Sequence, residues 1–264
     1  MSKILITGDC HADFTRFSSD NFPQGKNLTK EDYVIICGDF GLVWNKDSES
    51  KYEKHWLDWL EEKPWTTLFI DGNHENFDRL NNYKVYPCEE WNGGMIQRIR
   101  PSIMHLCRGE IYDIAGKTFL ALGGNYSHDI QHGIIDPADY ATREDMNLAC
   151  RALERKHGGW RFAMYRIKGE SWWKQEVPNT MERDNAICNL SLVNNKVDVI
   201  LTHALPATDL ILLDKWAQPN EYEYWLENEI RSKVDYQYLF SGHYHIDKAA
   251  SYKDICVYNK IIEV

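Results

Sequence analysis

Seven residues able to ligate a metal fall in five clusters along the chain: Asp9-x-His11, Asp39, Asn73, His203 and His243-x-His245. Asp9 and His11, two positions apart in a loop leaving a strand, can face one cation. Asp39 adds a carboxylate, and its two oxygens can bridge a pair of cations. Asn73 offers a neutral carbonyl oxygen, and the three later histidines offer imidazole nitrogens. Two cations held ~3.5–4 Å apart can clamp a phosphoryl group and acidify a shared water. Mixed imidazole and oxygen ligands suit manganese, iron or zinc better than calcium. The expected cofactors are therefore two divalent metal ions, with manganese preferred and iron or zinc as alternatives. His74, beside Asn73, is placed to protonate a leaving oxygen or to stabilise the charged transition state, with Glu75 to orient it.

These residues need a scaffold that brings them together. Each cluster follows a short apolar run, at residues 3–7, 33–37, 67–71, 197–202 and 238–241. The runs are too short for helices and rich in β-branched residues, so each is predicted to be a buried strand. Ligands just past the carboxyl ends of strands are how open α/β sheets build sites. Residues 51–62 place Tyr52, Trp56, Trp59 and Leu60 at helical spacing, and the two tryptophans are expected to pack into the core. Further helices are predicted over 75–83, 142–157, 180–194 and 219–233, the last with Pro219 at or near its first turn. A hairpin is predicted over 111–122, turning at Ala115-Gly116, and a strand over 160–167. Residues 125–195 carry none of the assigned ligands. They are predicted to form an insertion or cap over the site, within a single domain spanning 1–264.

The formal net charge of −10 over 264 residues argues against a protein that grips nucleic-acid backbones over a broad basic face. It leaves room for a phosphorylated small molecule or nucleotide as substrate, because bound cations dominate a local field. Seven cysteines without C-x-x-C pairs, and an opening that enters a strand without a secretory segment, point to a reducing cytoplasm. No apolar stretch approaches the ~18–20 residues of a membrane span. The sequence names no protein partner.

The ordered set Asp9-x-His11, Gly38-Asp39, Gly72-Asn73-His74-Glu75, His203, Gly242-His243-Tyr244-His245 resembles the pattern of the calcineurin-like metallophosphoesterase family. The resemblance implies an α/β (α+β) four-layer sandwich of two mixed β-sheets flanked by helices. It implies that Asp9, His11, Asp39 and His245 hold one metal and that Asp39, Asn73, His203 and His243 hold the other. Asp39 would bridge, a metal-bound hydroxide would attack phosphorus in line, and His74 would assist the leaving group.

Two arginines usual in the protein Ser/Thr phosphatase branch are missing here: Gly38-Asp39-Phe40-Gly41-Leu42-Val43 has none, and Asp71 precedes Gly72. Such arginines fork onto a phosphomonoester dianion. Their absence favours hydrolysis of a phosphodiester in a nucleotide or small molecule. The alternatives are a phosphomonoesterase acting on phosphoproteins or sugar phosphates and, from another class, a non-catalytic protein-binding scaffold. The candidate substrate contacts are Asn125 and His128, after Gly123-Gly124, together with Trp172. Trp172 could stack on a base, although adjacent tryptophans such as Trp172-Trp173 more often pin an insertion to the core.

Overall fold

Period-two alternation sorts the strand residues between core layers. In β1 (Ile4–Thr7), Ile4 and Ile6 join one apolar cluster and Leu5 another. The computed structural model, which describes residues 2–264, builds two mixed sheets on this alternation. The chain continues through β2 (Tyr33–Cys37), α1 (Lys51–Glu61), β3 (Thr66–Ile70), α2 (Phe77–Leu80), β4 (Cys88–Trp91), β5 (Gly94–Arg100) and β6 (Ile103–Leu106). It then forms β7 (Ile111–Ile114) and β8 (Lys117–Leu122), followed by β9 (Ile134–Ile135), α3 (Arg143–Lys156), β10 (Arg166–Ile167) and α4 (Thr180–Leu192). The last part holds β11 (Val199–Thr202), α5 (Ala207–Leu213), α6 (Glu221–Trp225), β12 (Tyr238–Ser241), β13 (Lys248–Ala249), β14 (Asp254–Cys256) and β15 (Ile262–Glu263).

The first sheet has the order β15-β1-β2-β3-β6-β5-β4, and the second β13-β14-β12-β11-β8-β7. In both, the central strands are parallel and the edges antiparallel. Ile35, Leu68 and Ile70 of the first sheet meet Phe119, Val199, Leu201 and Phe240 of the second in the middle layer. The outer face of the first sheet packs on Leu57 and Leu60 of α1, with Trp56 and Trp59 half-buried beside them. The outer face of the second packs on Ala186 and Leu190 of α4 and on Tyr222 of α6. This is the four-layer sandwich expected. The central parallel strands bring the ligand loops to their shared carboxyl ends.

Several elements depart from the expected bounds. The segment read as a cap divides in two: β9, β10 and α3 share no residue with these clusters among the described residues, whereas α4 belongs to the outer core layer. The strand expected over 160–167 shrinks to Arg166–Ile167, with a turn before it. The helix expected over 75–83 is only Phe77–Leu80, because Asn76 caps it. Pro219 stands next to the first turn, immediately before the N-cap Asn220, whose side chain accepts from Tyr222 and Glu223 N–H. No helix among the described residues is long and apolar enough to cross a membrane.

Candidate metal centre

Asp9 and His11 follow β1, Asp39 follows β2, Asn73 follows β3, His203 follows β11, and His243 and His245 follow β12. Four of the seven sit in left-handed backbone: His11 (φ 46°), Asp39 (φ 47°), His243 (φ 66°) and His245 (φ 51°). Non-glycine residues rarely adopt this conformation, and such strain gathers at functional sites. Glycines give the carboxylates room. A Cβ on Gly72 would fall on the Asp39 carboxylate, and one on Gly242 would fall on that of Asp9.

The seven converge as two groups. His245 Nε2 lies 3.1 Å from Asp9 Oδ2, and His11 Nε2 lies 3.5 Å from Asp39 Oδ2 and 2.9 Å from His245 Nε2. In the second group Asn73 Oδ1 is 3.2 Å from His203 Nε2 and 3.0 Å from His243 Nδ1. His203 Nε2 is also 3.5 Å from Asp39 Oδ1. Asp39 thus faces both groups, one oxygen each. His203 Nδ1 donates to the Cys37 carbonyl at 2.9 Å, so its Nε2 carries a lone pair pointing inward. Asn73 Nδ2 donates to Ser127 Oγ at 3.3 Å, which turns Oδ1 inward as well. Carboxylate, amide and imidazole donors converging at these distances suit divalent cations bound by oxygen and nitrogen.

The electrostatics agree. Burial, then the neighbouring Asp9, pushes the Asp39 carboxyl well above its usual value. Burial would raise Asp9 too, but His203 and the hydrogen bonds from His245 and His243 outweigh it and leave it lowered. Burial brings His11 down to about 4 and takes His243 well below the ordinary imidazole value. His245 is raised instead, first by its hydrogen bond to Asp9. Two carboxylates buried this deeply are a site in need of positive charge.

His74 stands at the edge of this cluster. Its backbone N–H donates to Asp39 Oδ1 at 2.8 Å, and its ring lies edge-on to His11 at 4.9 Å. Burial, then Arg166, drives its value well below normal, so it is a neutral imidazole whose Nε2 accepts from Arg166 Nη2 at 3.1 Å. Trp44 stacks on the other face at 5.7 Å. Glu53 fixes Trp44: it completes the capping box of α1 and also accepts from Trp44 N at 2.7 Å and Asn45 N at 2.8 Å.

Glu75 does not take the place expected for it. Its carboxylate accepts from Phe40 N at 2.7 Å and Gly72 N at 3.0 Å, which ties the loops bearing Asp39 and Asn73 together. It is fully buried and positions backbone, not the His74 ring.

A family model for calcineurin-like phosphoesterases matches residues 2–247. The chain belongs to this family. Two curated relatives are the lariat debranching enzyme of Danio rerio and lariat debranching enzyme A of Xenopus laevis. The first is 26% identical over 144 residues and the second 26% over 153. The matches cover 50% and 53% of this chain but only 24% and 27% of the relatives, so the chain spans about a quarter of their length. In this calcineurin-like phosphoesterase chain the clusters Asp9-His11-His245 and Asp9-Asp39-His203 bring their ligand atoms close enough together to hold metal.

Among the expected substrate contacts only His128 reaches this phosphoesterase centre: it is exposed, with its ring 5.3 Å from that of His243. Asn125 is fully buried, bonded to Glu223 Oε1 at 3.0 Å and Asn220 Nδ2 at 2.9 Å. Trp172 Nε1 donates to Glu176 Oε1 at 2.9 Å, and Glu176 holds Ser127, the partner of Asn73. Trp172 therefore acts on the centre through Glu176. Sequence reasoning did not single out Trp44 or Asp129. Asp129 grips Arg166, with Nε to Oδ1 at 2.9 Å.

Proposed function

We propose that the protein hydrolyses a phosphodiester in a nucleotide or related small molecule, using two divalent cations, manganese first among them. The observation that carries this reading is a groove on either side of the ligand cluster. One, of about 280 Å³, is lined by His11, Trp44, Tyr52 and His74. The other, of about 510 Å³, is lined by His128, Leu210, His243, Tyr244 and His245. A diester carries a substituent on each side of phosphorus, and the two grooves offer each a place. The distant relatives named for lariat debranching are consistent with diester chemistry.

Bound by Asp9, His11, Asp39 and His245 on one side and by Asp39, Asn73, His203 and His243 on the other, the cations would supply Lewis-acid stabilisation of the phosphoryl oxygens and activation of water. The chain's own residues do the rest. Glu75 holds the two loops in register, Ser127 and Cys37 aim Asn73 and His203, and Trp44 keeps the His74 ring upright. Arg166 sets a fixed positive charge beside His74, where charge develops in the transition state. Seven unbridged cysteines support a reducing cytoplasm as its setting.

Hydrolysis of bis(4-nitrophenyl) phosphate and of 4-nitrophenyl phosphate, by metal-stripped protein refilled with manganese, tests this. A higher kcat/KM on the diester is expected, and a preference for the monoester would overturn the reading. One observation favours that second possibility: Arg166 is a guanidinium able to fork onto a dianion. Asp129 already holds its Nε and Nη2, the latter the nitrogen that meets His74, which argues for a fixed charge over a phosphate clamp. Arg166→Ala should lower kcat on the diester about ten- to a hundred-fold with metal content unchanged, measured by steady-state kinetics alongside elemental analysis.

A further inference from the structure

We propose that the tip of the insertion, at the end of α3 and the turn after it, is a docking site for single-stranded nucleic acid. The acidic chain carries a local reversal of charge here. Residues 151–168 hold six basic side chains against one acid, Glu154, in a chain whose formal net charge is −10. Arg151, Arg155, Lys156 and Arg161 are exposed, and among the described residues none has a carboxylate within 4.0 Å. Three cations elsewhere on this insertion are paired, Arg143 with Glu170, Arg166 with Asp129 and Lys168 with Asp136, while Lys174 stands apart from them without a carboxylate within 4.0 Å among the described residues. Unpaired cations together, beside their paired neighbours, have the charge complementary to a polyanion.

The second observation is aromatic. Trp160 is 72% exposed and Phe162 65% exposed, between and beside these cations. Arg161 lies over the Trp160 ring at 5.3 Å. Large rings left in water among unpaired cations are stacking platforms for bases, and arginine adds to them. The same rings would also suit an anionic membrane, but nucleic acid is favoured because the tip leads into the candidate metal centre. From Phe162 the chain reaches Arg166, the partner of His74, in four residues, which span at most about 14 Å. On the way the backbone is held by a pair of bonds, Met164 N to His132 Nδ1 and His132 N to Met164 O, both 2.8 Å. A strand stacked on the tip would run toward the groove with its backbone diesters foremost. As a statement about substrate, this rests on the diesterase reading; as a statement about binding, it does not. The negative net charge, which argues against a broad basic face, averages this small patch away.

The probe is a fluorescein-labelled, phosphorothioate-linked oligothymidylate of roughly 12 nucleotides, within ordinary site sizes, followed by anisotropy across a salt series. The wild-type protein is expected to bind with a log–log salt slope of about −3, as four cations on a single strand require. Arg155→Glu with Lys156→Glu and Arg161→Glu should abolish binding, and Trp160→Ala should weaken it about five-fold or more. None of these residues belongs to the catalytic machinery, so turnover of the chromogenic diester should be unchanged in every variant. No binding by the wild-type protein, equal binding by the charge-reversed one, or capture of phosphatidylserine vesicles that the oligonucleotide cannot displace would each overturn the proposal. Absent oligonucleotide binding with full diester turnover sinks the tip alone. Intact binding with no diester turnover sinks the diesterase reading alone.

Discussion

Asp39→Asn is expected to cost about a thousand-fold or more in turnover while the metal-stripped protein becomes more stable. The carboxylate offers one oxygen to each group, with Oδ2 3.5 Å from His11 Nε2 and Oδ1 3.5 Å from His203 Nε2. An amide keeps the shape and the acceptor for the His74 N–H, 2.8 Å away. It removes the charge, and with it a second oxygen able to coordinate. Without metal the same charge is a liability, since burial and then Asp9 hold the Asp39 carboxyl well above its normal value. Neutralising it relieves that repulsion, so the melting temperature of stripped Asp39→Asn should rise by roughly 2 °C or more. Metal content per chain, turnover and melting temperature separate the causes. Normal metal content with normal turnover would remove Asp39 from its shared position. Lost turnover with a lowered melting temperature would make the residue structural.

The ligand clusters were legible because each depends on a local pattern. A β-branched run ending in Gly-Asp or Gly-His announces a buried strand and the loop beyond it, and β2 and β12 fall on the predicted residues. The turn at Ala115 (φ 51°) and Gly116 (φ 81°) was legible for the same reason. What was not legible depends on pairing between distant segments. Arg166 reaches His74 across 92 positions, through a ladder of two residues on each strand, and no periodicity signals it. Trp172 and Asn125 carry the right chemistry for substrate, yet the fold uses their polar atoms on Glu176, Glu223 and Asn220. Glu75 adjoins His74 in sequence, but α2 starts only at Phe77 and the side chain turns to Phe40 and Gly72. Trp160 and Phe162 imitate the apolar pattern of a strand. They are exposed, so their apolar character reports a surface and not a core.

Arg108→Ala should destabilise the protein by about 3–5 kcal/mol, lowering its melting temperature by about 10 °C. Asp71 immediately precedes Gly72-Asn73-His74 and is fully buried. Its oxygens take Arg108 Nε at 2.9 Å, Arg108 Nη2, and His105 Nε2 at 3.1 Å. Arg108 also reaches Glu182 of α4 at 3.1 Å, so the cation missing from the metal loop is present one layer away, joining the sheets to the outer helix. Burial alone would raise the Asp71 carboxyl. Arg108, then His105, outweighs burial and holds it well below the usual carboxylate range. The folded value therefore lies below the unfolded one of about 3.9. The pair's contribution is present above that pH and is lost only as pH falls toward the folded value. Removing Arg108 leaves burial opposed by His105 alone, so the carboxyl moves up and its ionised form at pH 7 becomes a cost. Acid then relieves the variant while it leaves the wild-type pair intact, and the gap in melting temperature should narrow between pH 7 and pH 5. Asp71→Asn combined with Arg108→Met, which removes both charges, should lie nearer the wild-type protein than Arg108→Ala does. A gap that stays constant with pH would mean that Arg108 acts through its packing on Phe77, 5.2 Å from the guanidinium carbon, and not through Asp71.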